Sequence, residues 1–464
     1  MKDDFGEWYR RMLEENEIID QRYPVKGMLV YRRWGMQIIR EMQHFLENAL
    51  EENGHEPVYF PVLIPDNILG KEGEHIAGFE EQVYWVTHAG KTPLERKLAL
   101  RPTSETCMYE MFSLWVRSHA DLPIKIHQSV PVYRYETKHT RPLLRGREFL
   151  WNEGHTAFAT QEEAEQNIQE IKMIYGRLIS ELLCLPYEVN QRPYWDKFPG
   201  SDYSLAFESL MPDGRSLQLA TAHNLGQNFS KVFSIQYEDE SGSKNMAWQT
   251  SYGPGFGRLL AATMSIHGDE KGLVLPPKVA PTQIVIIPIF VKNASKEEIQ
   301  KVCEQDAKAL KESGFRVELD FGDQHPGDKY YKWEKKGVPI RLEVGPREVK
   351  EEKRTVVRRD TGEKSAIETK NLEKEIQKFF TEIEENLRKT AQKKFDERHY
   401  VAKDLKELRK FVGKGFVSCG WCQTDECAKS IDETGTILSM SDETGTCVVC
   451  GAKGAKTIKV AKTY

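Results

Sequence analysis

The sequence predicts a multidomain α/β protein, and three observations carry that reading. From Lys125 to His223 apolar residues recur with period two in "IKIHQSVPVYRYE", "EFLWNEGHTAFA" and "SLQLATAH", interrupted by one helical stretch. This is the pattern of an antiparallel sheet with helices packed on it. After "KGLVLPPKVAPTQ", with its three prolines, strand and helix patterns alternate over about 100 residues, as in a small α/β unit with a partly parallel sheet. The end of the chain, from "FVSCGWCQTDEC" onward, then concentrates five of the eight cysteines. A chain of 464 residues exceeds what one hydrophobic core usually serves. The expected units are 1–279, 280–388 and 389–464.

Taken in order, "GEWYRRMLEENEII" and "RRWGMQIIREMQHFLENALEENG" place apolar residues three and four apart and read as helices, the second closing at Asn53-Gly54. "PVYFPVLIP" reads as one short strand. Within the period-two region the helix is "QEEAEQNIQEIKMIYGRLISELLC". In the second unit "IVIIPIF", "FRVELDF" and "PIRLEVG" are strands, while "SKEEIQKVCEQDAKALKESG", "YYKWEKKGV" and "NLEKEIQKFFTEIEENLRK" are helices. A separate charged helix from about Ala391 leads into the cysteine segment. There is no internal repeat or low-complexity tract.

A composition of 39% hydrophobic and 30% charged residues is that of a soluble globular protein. No stretch approaches the ~20 apolar residues of a membrane span, and the N-terminal segment has no signal-peptide run, so the cytosol is the expected location and no membrane partner is expected. A net charge of -5 gives no global hint of a nucleic-acid partner, so any such surface is expected to be local. Locally, Lys329 to Asp360 holds eleven Lys or Arg against six Asp or Glu, and Lys453, Lys456, Lys459 and Lys462 lie in a tail without acids. Such runs read as a solvated face or a polyanion surface.

Chemistry concentrates in "VPVYRYETKHTRPLLRGREFLWNEGHTAFAT". Alternation puts Val132, Arg134 and Glu136 on one face of the first strand and Phe149, Trp151, Glu153 and His155 together on the second. The loop between them adds Arg141, Arg145 and Arg147. Guanidinium groups beside carboxylates suit an anionic, magnesium-bearing ligand such as a nucleotide, or else form a solvated hairpin with a satisfied polar face. In "LRPTSETCMYEMF", Thr103 or Ser104 reads as a helix cap with Glu105 in the first turn. In "SYGPGFGRLLAATMSIHGDEKG", no βαβ unit supports a dinucleotide fingerprint. What remains is Arg258 in the first turn of a helix, a phosphate anchor or a surface residue.

Together these elements resemble the substrate loop, second motif and third motif of class II aminoacyl-tRNA synthetases. "RPTSET", "REFLWNEGHTAFAT", "KFPGSDY", "GRSLQLATAHNLGQNFSK", "HGDEKGLVLPP" and "RLEVGPRE" are similar to prolyl-tRNA synthetases of the archaeal and eukaryotic type, nearly end to end. The resemblance implies an antiparallel-sheet class II catalytic domain, an α/β anticodon-binding domain and a small C-terminal zinc-binding α+β domain. It implies ligation of L-proline to the tRNA for proline with ATP and Mg2+, in a homodimer paired around "GHEPVYFPVLIP". Arg134, Glu136, Arg145, Gln218, Thr221 and Arg258 then match ATP-binding positions, with Arg134 and Arg258 catalytic. Thr103, Glu105, Arg134, Trp151, Glu153, His155, Phe198 and His223 match the proline pocket.

Strict alternation puts Gln218 and Thr221 on opposite faces, so both reach one ligand only if a bulge or strand end lies near Ala220. "GPGFGR" lacks the hydroxyl residue that commonly precedes the arginine in the third motif. The interval from Arg147 to Gly253 leaves no room for an editing domain, so some mischarging with alanine is expected. Glu343 and Arg347 match anticodon contacts or are ordinary strand and turn residues. Two readings compete with the ligase: a synthetase-like binding protein without catalysis, and a class II relative for another amino acid.

Among the cysteines, Cys422-x4-Cys427 and Cys447-x2-Cys450 reproduce the zinc spacing of the family's C-terminal domain and leave Cys419 spare. A Cys419-x2-Cys422 pair is the competing register. Four thiolates close a tetrahedral site, which marks the zinc as structural, and disulfides are not expected in the cytosol. In the family the terminal tyrosine, here Tyr464, folds back toward the active site.

Overall fold

The period-two stretches pair into one sheet of seven strands. In this computed structural model, which describes residues 4–71, 80–136, 139–291 and 294–464, the strands are β1 (Glu56–Pro57), β2 (Ile124–Tyr133), β3 (Glu148–Ala157), β4 (Glu188–Gln191), β5 (Tyr203–Leu210), β6 (Ser216–Gly226) and β7 (Gln249–Pro254). Their order is β1-β2-β3-β7-β6-β5-β4, antiparallel except for β1 beside β2. Thr137 and Lys138, in the basic loop between β2 and β3, lie outside the described residues.

Helices cover the sheet because their apolar residues recur at helical spacing. Helix α1 (Arg33–Glu51) buries Trp34, Ile38, Ile39, Met42, Leu46, Ala49 and Leu50 on one stripe. Helix α2 (Gln161–Gly176) opens on a capping box between Thr160 and Glu163 and continues as one π-helical stretch, Arg177–Leu182. Helix α3 (Phe256–His267) is buried nearly all round, as its apolar sequence demands of an element enclosed on every side. These helices share one core with Val285, Ile287 and Trp333 of the second unit.

The second sheet has order β9-β8-β10-β11-β12, from β8 (Ile284–Pro288), β9 (Val317–Leu319), β10 (Ile340–Val344), β11 (Lys353–Arg358) and β12 (Lys364–Glu368). Strand β8 runs parallel to both neighbours and the other pairs are antiparallel, so the sheet is mixed, as expected. The last sheet, β13-β14-β16-β15, comprises β13 (His399–Val401), β14 (Phe416–Trp421), β15 (Thr436–Thr446) and β16 (Lys453–Ala461). Leu210, Phe395, Phe416, Leu438 and Ala461 form a small core that joins it to the first sheet. Among the described residues no helix is long and apolar enough to cross a membrane.

Two element expectations change. "PVYFPVLIP" is not one strand: Glu56–Pro57 joins the large sheet, while Leu63–Pro65 pairs with Thr92–Leu100 in a separate three-stranded sheet. Pro57 and Pro61 have no N–H for a continuous ladder. The two helices expected on either side of residue 388 are one, α4 (Leu372–Asp396), since no Gly or Pro interrupts "LRKTAQKK" and the buried stripe runs on through Leu387, Ala391 and Phe395.

Two buried histidines make this fold sensitive to acid. His55 donates from Nδ1 to the Leu50 carbonyl at 3.1 Å and its Nε2 meets the Tyr252 hydroxyl, so the neutral ring is satisfied at both nitrogens. Burial, then the Lys125 cation, pushes it down to about 3. His267 donates from Nε2 to the Leu183 carbonyl at 2.8 Å and is pushed down to about 4, chiefly by burial. Both histidines take up a proton near pH 6.5 when unfolded, so the unfolded state binds more protons below that pH. Stability is therefore full above pH 6.5 and falls as pH drops toward 4, by up to about 1.4 kcal/mol per pH unit for each ring. Urea unfolding between pH 7.5 and 5 should show this loss, and a His55→Gln, His267→Gln double variant should show a shallower slope. Equal slopes would refute the assignment.

Candidate active site

A cavity of about 510 Å³ opens over β3, β5, β6, β7, the start of α3 and the loop that follows β2. All thirteen residues assigned to nucleotide or proline by resemblance line it: Thr103, Glu105, Arg134, Glu136, Arg145, Trp151, Glu153, His155, Phe198, Gln218, Thr221, His223 and Arg258. They arrive from separate segments, and the sheet brings them together.

One end is acidic and aromatic. Glu153, 1% exposed, accepts from Ser104 N at 3.1 Å, Ser104 Oγ at 2.5 Å, Gln128 Nε2 at 2.8 Å and His155 Nε2 at 3.1 Å. Burial alone would push Glu153 up and His155 down. Their mutual hydrogen bond, with help from Ser104 and Gln128 at the carboxylate, outweighs it, so Glu153 lies below the ordinary carboxylate range and His155 above its usual value. This is a buried ion pair. Glu105, also buried, accepts from the Thr103 hydroxyl. Ligand atoms of Glu105, Glu153 and His155 lie within 4.8 Å of one another, and both carboxylates also feel the Arg134 guanidinium. Beside these three side chains the Phe198 ring stacks on His223 at 4.6 Å between centroids, and His223 Nδ1 meets Ser204 Oγ at 2.7 Å.

The other end is cationic. Arg134 lies over the rings of Phe149 and Trp151, at 5.3 and 5.5 Å, and donates from Nε to the Pro102 carbonyl at 3.0 Å. Arg258 donates to the carbonyls of Leu144 and Gln218 at 3.0 and 3.2 Å. Burial, then the neighbouring Arg145 and Arg134, pushes Arg258 down to about 10. Glu136 pairs with Arg145 at 3.5 Å, and Glu105, Glu153 and Glu136 all act on Arg134. Cations held near one another at a cost are matched by an anionic ligand.

Local geometry explains how each residue gets there. Strand β2 stops at Tyr133, so Arg134 and Glu136 lie past its end and not on the expected alternating face with Val132, which is fully buried. Along β6, Gln218 pairs with Glu208 and Ala220 with Phe207, which leaves Leu219 as an extra residue. That bulge lets Gln218 and Thr221 line the same cavity, as the spacing required. At Gly253 an added Cβ would meet the Asn152 carbonyl oxygen at 2.6 Å, and at Gly257 that of Leu143 at 2.8 Å, so the glycines serve close packing against the hairpin. Ser104 stands at the N-cap of Glu105–Trp115 but makes no side-chain cap. This corrects the cap reading, because the hydroxyl is drawn to Glu153 instead.

Several lining residues escaped the sequence reading. Arg192 bonds Glu208 and the side chain of Gln218, at 2.8 and 3.0 Å. Ser204 and Ser251 also line the cavity, and nothing in the polar-apolar pattern of their strands marks them out.

Away from the cavity, Cys422, Cys427, Cys447 and Cys450 bring their sulfurs within 4.8 Å of one another. The Cys422–Cys450 separation of 3.7 Å matches the edge of about 3.8 Å for a tetrahedron with Zn–S bonds of about 2.3 Å. Cys419 stands outside the four and is buried in the apolar cluster around β14. The tail does return to the hairpin: Tyr464 donates to Asp213 at 2.6 Å, with Arg141 5.3 Å over its ring.

The basic excess between Lys329 and Asp360 is largely used inside the molecule. Nine of its eleven cations form ion pairs, among them Lys335 with Glu15, Lys336 with Glu17, Arg354 with Asp306, Arg358 with Asp360 and Arg359 with Asp269. Glu343 is buried between Arg341 and Lys364, whereas Arg347 is exposed and bonded to Glu351 at 3.1 Å.

The crowding of guanidinium groups makes a prediction. Arg258→Gln should weaken binding of a fluorescent ATP analogue about tenfold or more, with an unchanged circular dichroism spectrum. Undiminished affinity would contradict the anion-site reading.

Comparison with known proteins agrees with this geometry. The family described as tRNA synthetase class II core domain (G, H, P, S and T) matches residues 84–267, and the family described as anticodon binding domain matches residues 283–379. The proline–tRNA ligase of Methanopyrus kandleri is 46% identical over 99% of this chain and 96% of its own, and that of Thermococcus kodakarensis is 47% identical over 100% and 98%. Among solved structures, Giardia lamblia prolyl-tRNA synthetase in complex with prolyl-adenylate superposes with a TM-score of 0.95 at 35% identity, covering 100% of this chain and 99% of that one. Prolyl-tRNA synthetase from Cryptosporidium parvum, complexed with halofuginone and AMPPNP, gives 0.93 at 36%, covering 100% and 98%. With such identity along its whole length, the chain belongs to the proline–tRNA ligase family.

Proposed function

We propose that this chain activates L-proline with ATP to form prolyl-adenylate and then transfers the prolyl group to the 3′ end of the tRNA for proline. The observation that carries this reading is one cavity with a cluster of guanidinium groups at one end and paired carboxylates beside aromatic rings at the other. Family membership supplies the reaction class.

The chemistry asks for no protein nucleophile. A proline carboxylate oxygen attacks the α-phosphorus of ATP, the bond to the β-phosphate oxygen breaks, and pyrophosphate leaves with Mg2+ that arrived with the nucleotide. In our reading Arg134 meets the α-phosphate, Glu136, Arg145, Gln218 and Thr221 hold the nucleotide, and Arg258 meets its far end. Fixed guanidinium groups need no reorganisation as charge develops, so positioning and electrostatics carry the rate. Glu105 and Glu153 accept from the secondary ammonium, Thr103 and His155 orient those carboxylates, and Trp151, Phe198 and His223 enclose the ring.

A pocket that fits proline has weak means of rejecting alanine. Missing methylenes are worth about 1 to 3 kcal/mol in an apolar pocket. Between Glu148 and Pro254 the chain is occupied by five strands of the large sheet, helix α2 with its π-helical continuation, the short helix Asn228–Phe233 and the hairpin of Gln236–Glu238 with Lys244–Met246, which supports a reading without an editing unit. We assign anticodon reading to residues 280–388, with Arg347 the freer of the two proposed contacts and Glu343 obliged to exchange an internal partner. The unit 389–464 shares helix α4 with it. Pairing of two copies around residues 54–65 is part of the proposal, supported by Tyr59 and Leu63, which expose apolar surface there.

The four cysteine sulfurs fit zinc in kind and spacing, and zinc held by Cys422, Cys427, Cys447 and Cys450 would have no open position for water. It would act as a structural tie, and nothing in the adenylation step is routed through it.

Two experiments test these assignments. Proline should drive ATP–pyrophosphate exchange, with alanine about 10 to 200 times less efficient and alanyl-tRNA accumulating. Exchange driven by another amino acid alone, or rapid hydrolysis of added alanyl-tRNA, would overturn the reading. Metal analysis should find one zinc per chain in the wild type and in Cys419→Ser, and loss in Cys422→Ser, with exchange persisting at saturating proline. Equal loss of zinc in both variants would refute the ligand set.

A further inference from the structure

The segment from Arg192 to Pro199 forms one wall of the cavity and is pinned at both ends. Arg192 bonds Glu208 and Gln218 at the start. Near the end, Phe198 N donates to Ser204 Oγ at 2.9 Å, and its ring stacks on His223. The middle is held differently. Trp195, which lines the cavity while remaining 44% exposed, meets Trp421 edge to face at 5.3 Å between centroids and 78° between planes.

Trp421 belongs to the far end of the chain. It is 5% exposed, donates from Nε1 to the Thr424 carbonyl at 3.2 Å, and immediately precedes Cys422. The end of β14 therefore carries the ring that supports the cavity wall, and the residue next to it is a thiol of the cysteine cluster. A second contact runs the same way, from Arg192 Nη1 to the Leu438 carbonyl of β15 at 3.4 Å.

We propose that Trp421 is a positioning residue for amino-acid binding, through which the thiol-rich end of the chain sets the wall that carries Phe198. The inference rests on the proline-activating reading. Without the ring contact the middle of the segment samples more conformations, and binding must order it, so the loss falls on affinity for the amino acid. The phosphate end of the cavity, built on the hairpin and α3, is untouched. Loosening of the cysteine loop on metal removal then raises the proline requirement while leaving turnover at saturation.

Exchange kinetics and calorimetric proline binding on the full chain test this. Trp421→Ala and Trp195→Ala should each raise the KM and Kd for proline about tenfold, with kcat within about twofold and KM for ATP unchanged. Trp421→Phe should restore most of the affinity, and the double alanine variant should be no worse than the poorer single one. Unchanged proline affinity in both single variants, multiplied effects in the double variant, or a fall in kcat matching that in kcat/KM would overturn the proposal. Absence of proline-driven exchange in the wild type would instead contradict the activity, so the two failures are distinct.

Discussion

Burying a carboxylate costs several kcal/mol unless donors surround it, and Glu153 is almost fully buried in the middle of the large sheet. Its donors come from three places: Ser104 at the start of a helix, Gln128 on β2 and His155 two residues along its own strand. Each must be in position for the charge to be tolerated. The requirement locks the helix start to the hairpin and with it orients Thr103, Glu105 and Trp151 around one end of the cavity. A carboxyl that served folding alone would be better replaced by an apolar residue. Its cost is explained if a cation is bound there.

The arginine end obeys the opposite logic on the same scaffold. Arg134 and Arg258 give part of their donors to backbone carbonyls and lie near Arg145, so their positions persist without a ligand. Pre-positioned charge is worth more than mobile charge because it need not be reorganised as the reaction proceeds. The two ends are joined by β6, where the bulge at Leu219 turns Gln218 and Thr221 to one cavity. The acidic end, the cationic end and the bulge between them define a polarity along the cavity that matches an amino acid joined to a nucleotide.

Much of this was legible before folding was considered. The hairpin could be read from its alternation, and the need for a bulge near Ala220 followed from two residues that had to share a face. What escaped the sequence involves partners distant along the chain. Ser104 looked like a cap because its competing acceptor, Glu153, lies 49 residues on. The stretch from Lys329 to Asp360 looked like a cationic surface because composition does not reveal Glu15, Glu17 or Asp269 folding against it. Arg192 and Trp195 drew no attention since their supports, Leu438 and Trp421, belong to another sheet. The boundary at residue 388 crosses a helix because nothing there breaks one.

The central claim is that a single cavity binds the amino acid at its acidic end and the phosphates at its cationic end, so that the two meet head to tail. Competition against a non-hydrolysable prolyl-adenylate analogue, a sulfamoyl ester of adenosine, tests this most directly. The account predicts one analogue bound per chain, displaced by proline alone and by ATP alone. Displacement by only one of them, or binding of both alongside the analogue, would contradict it.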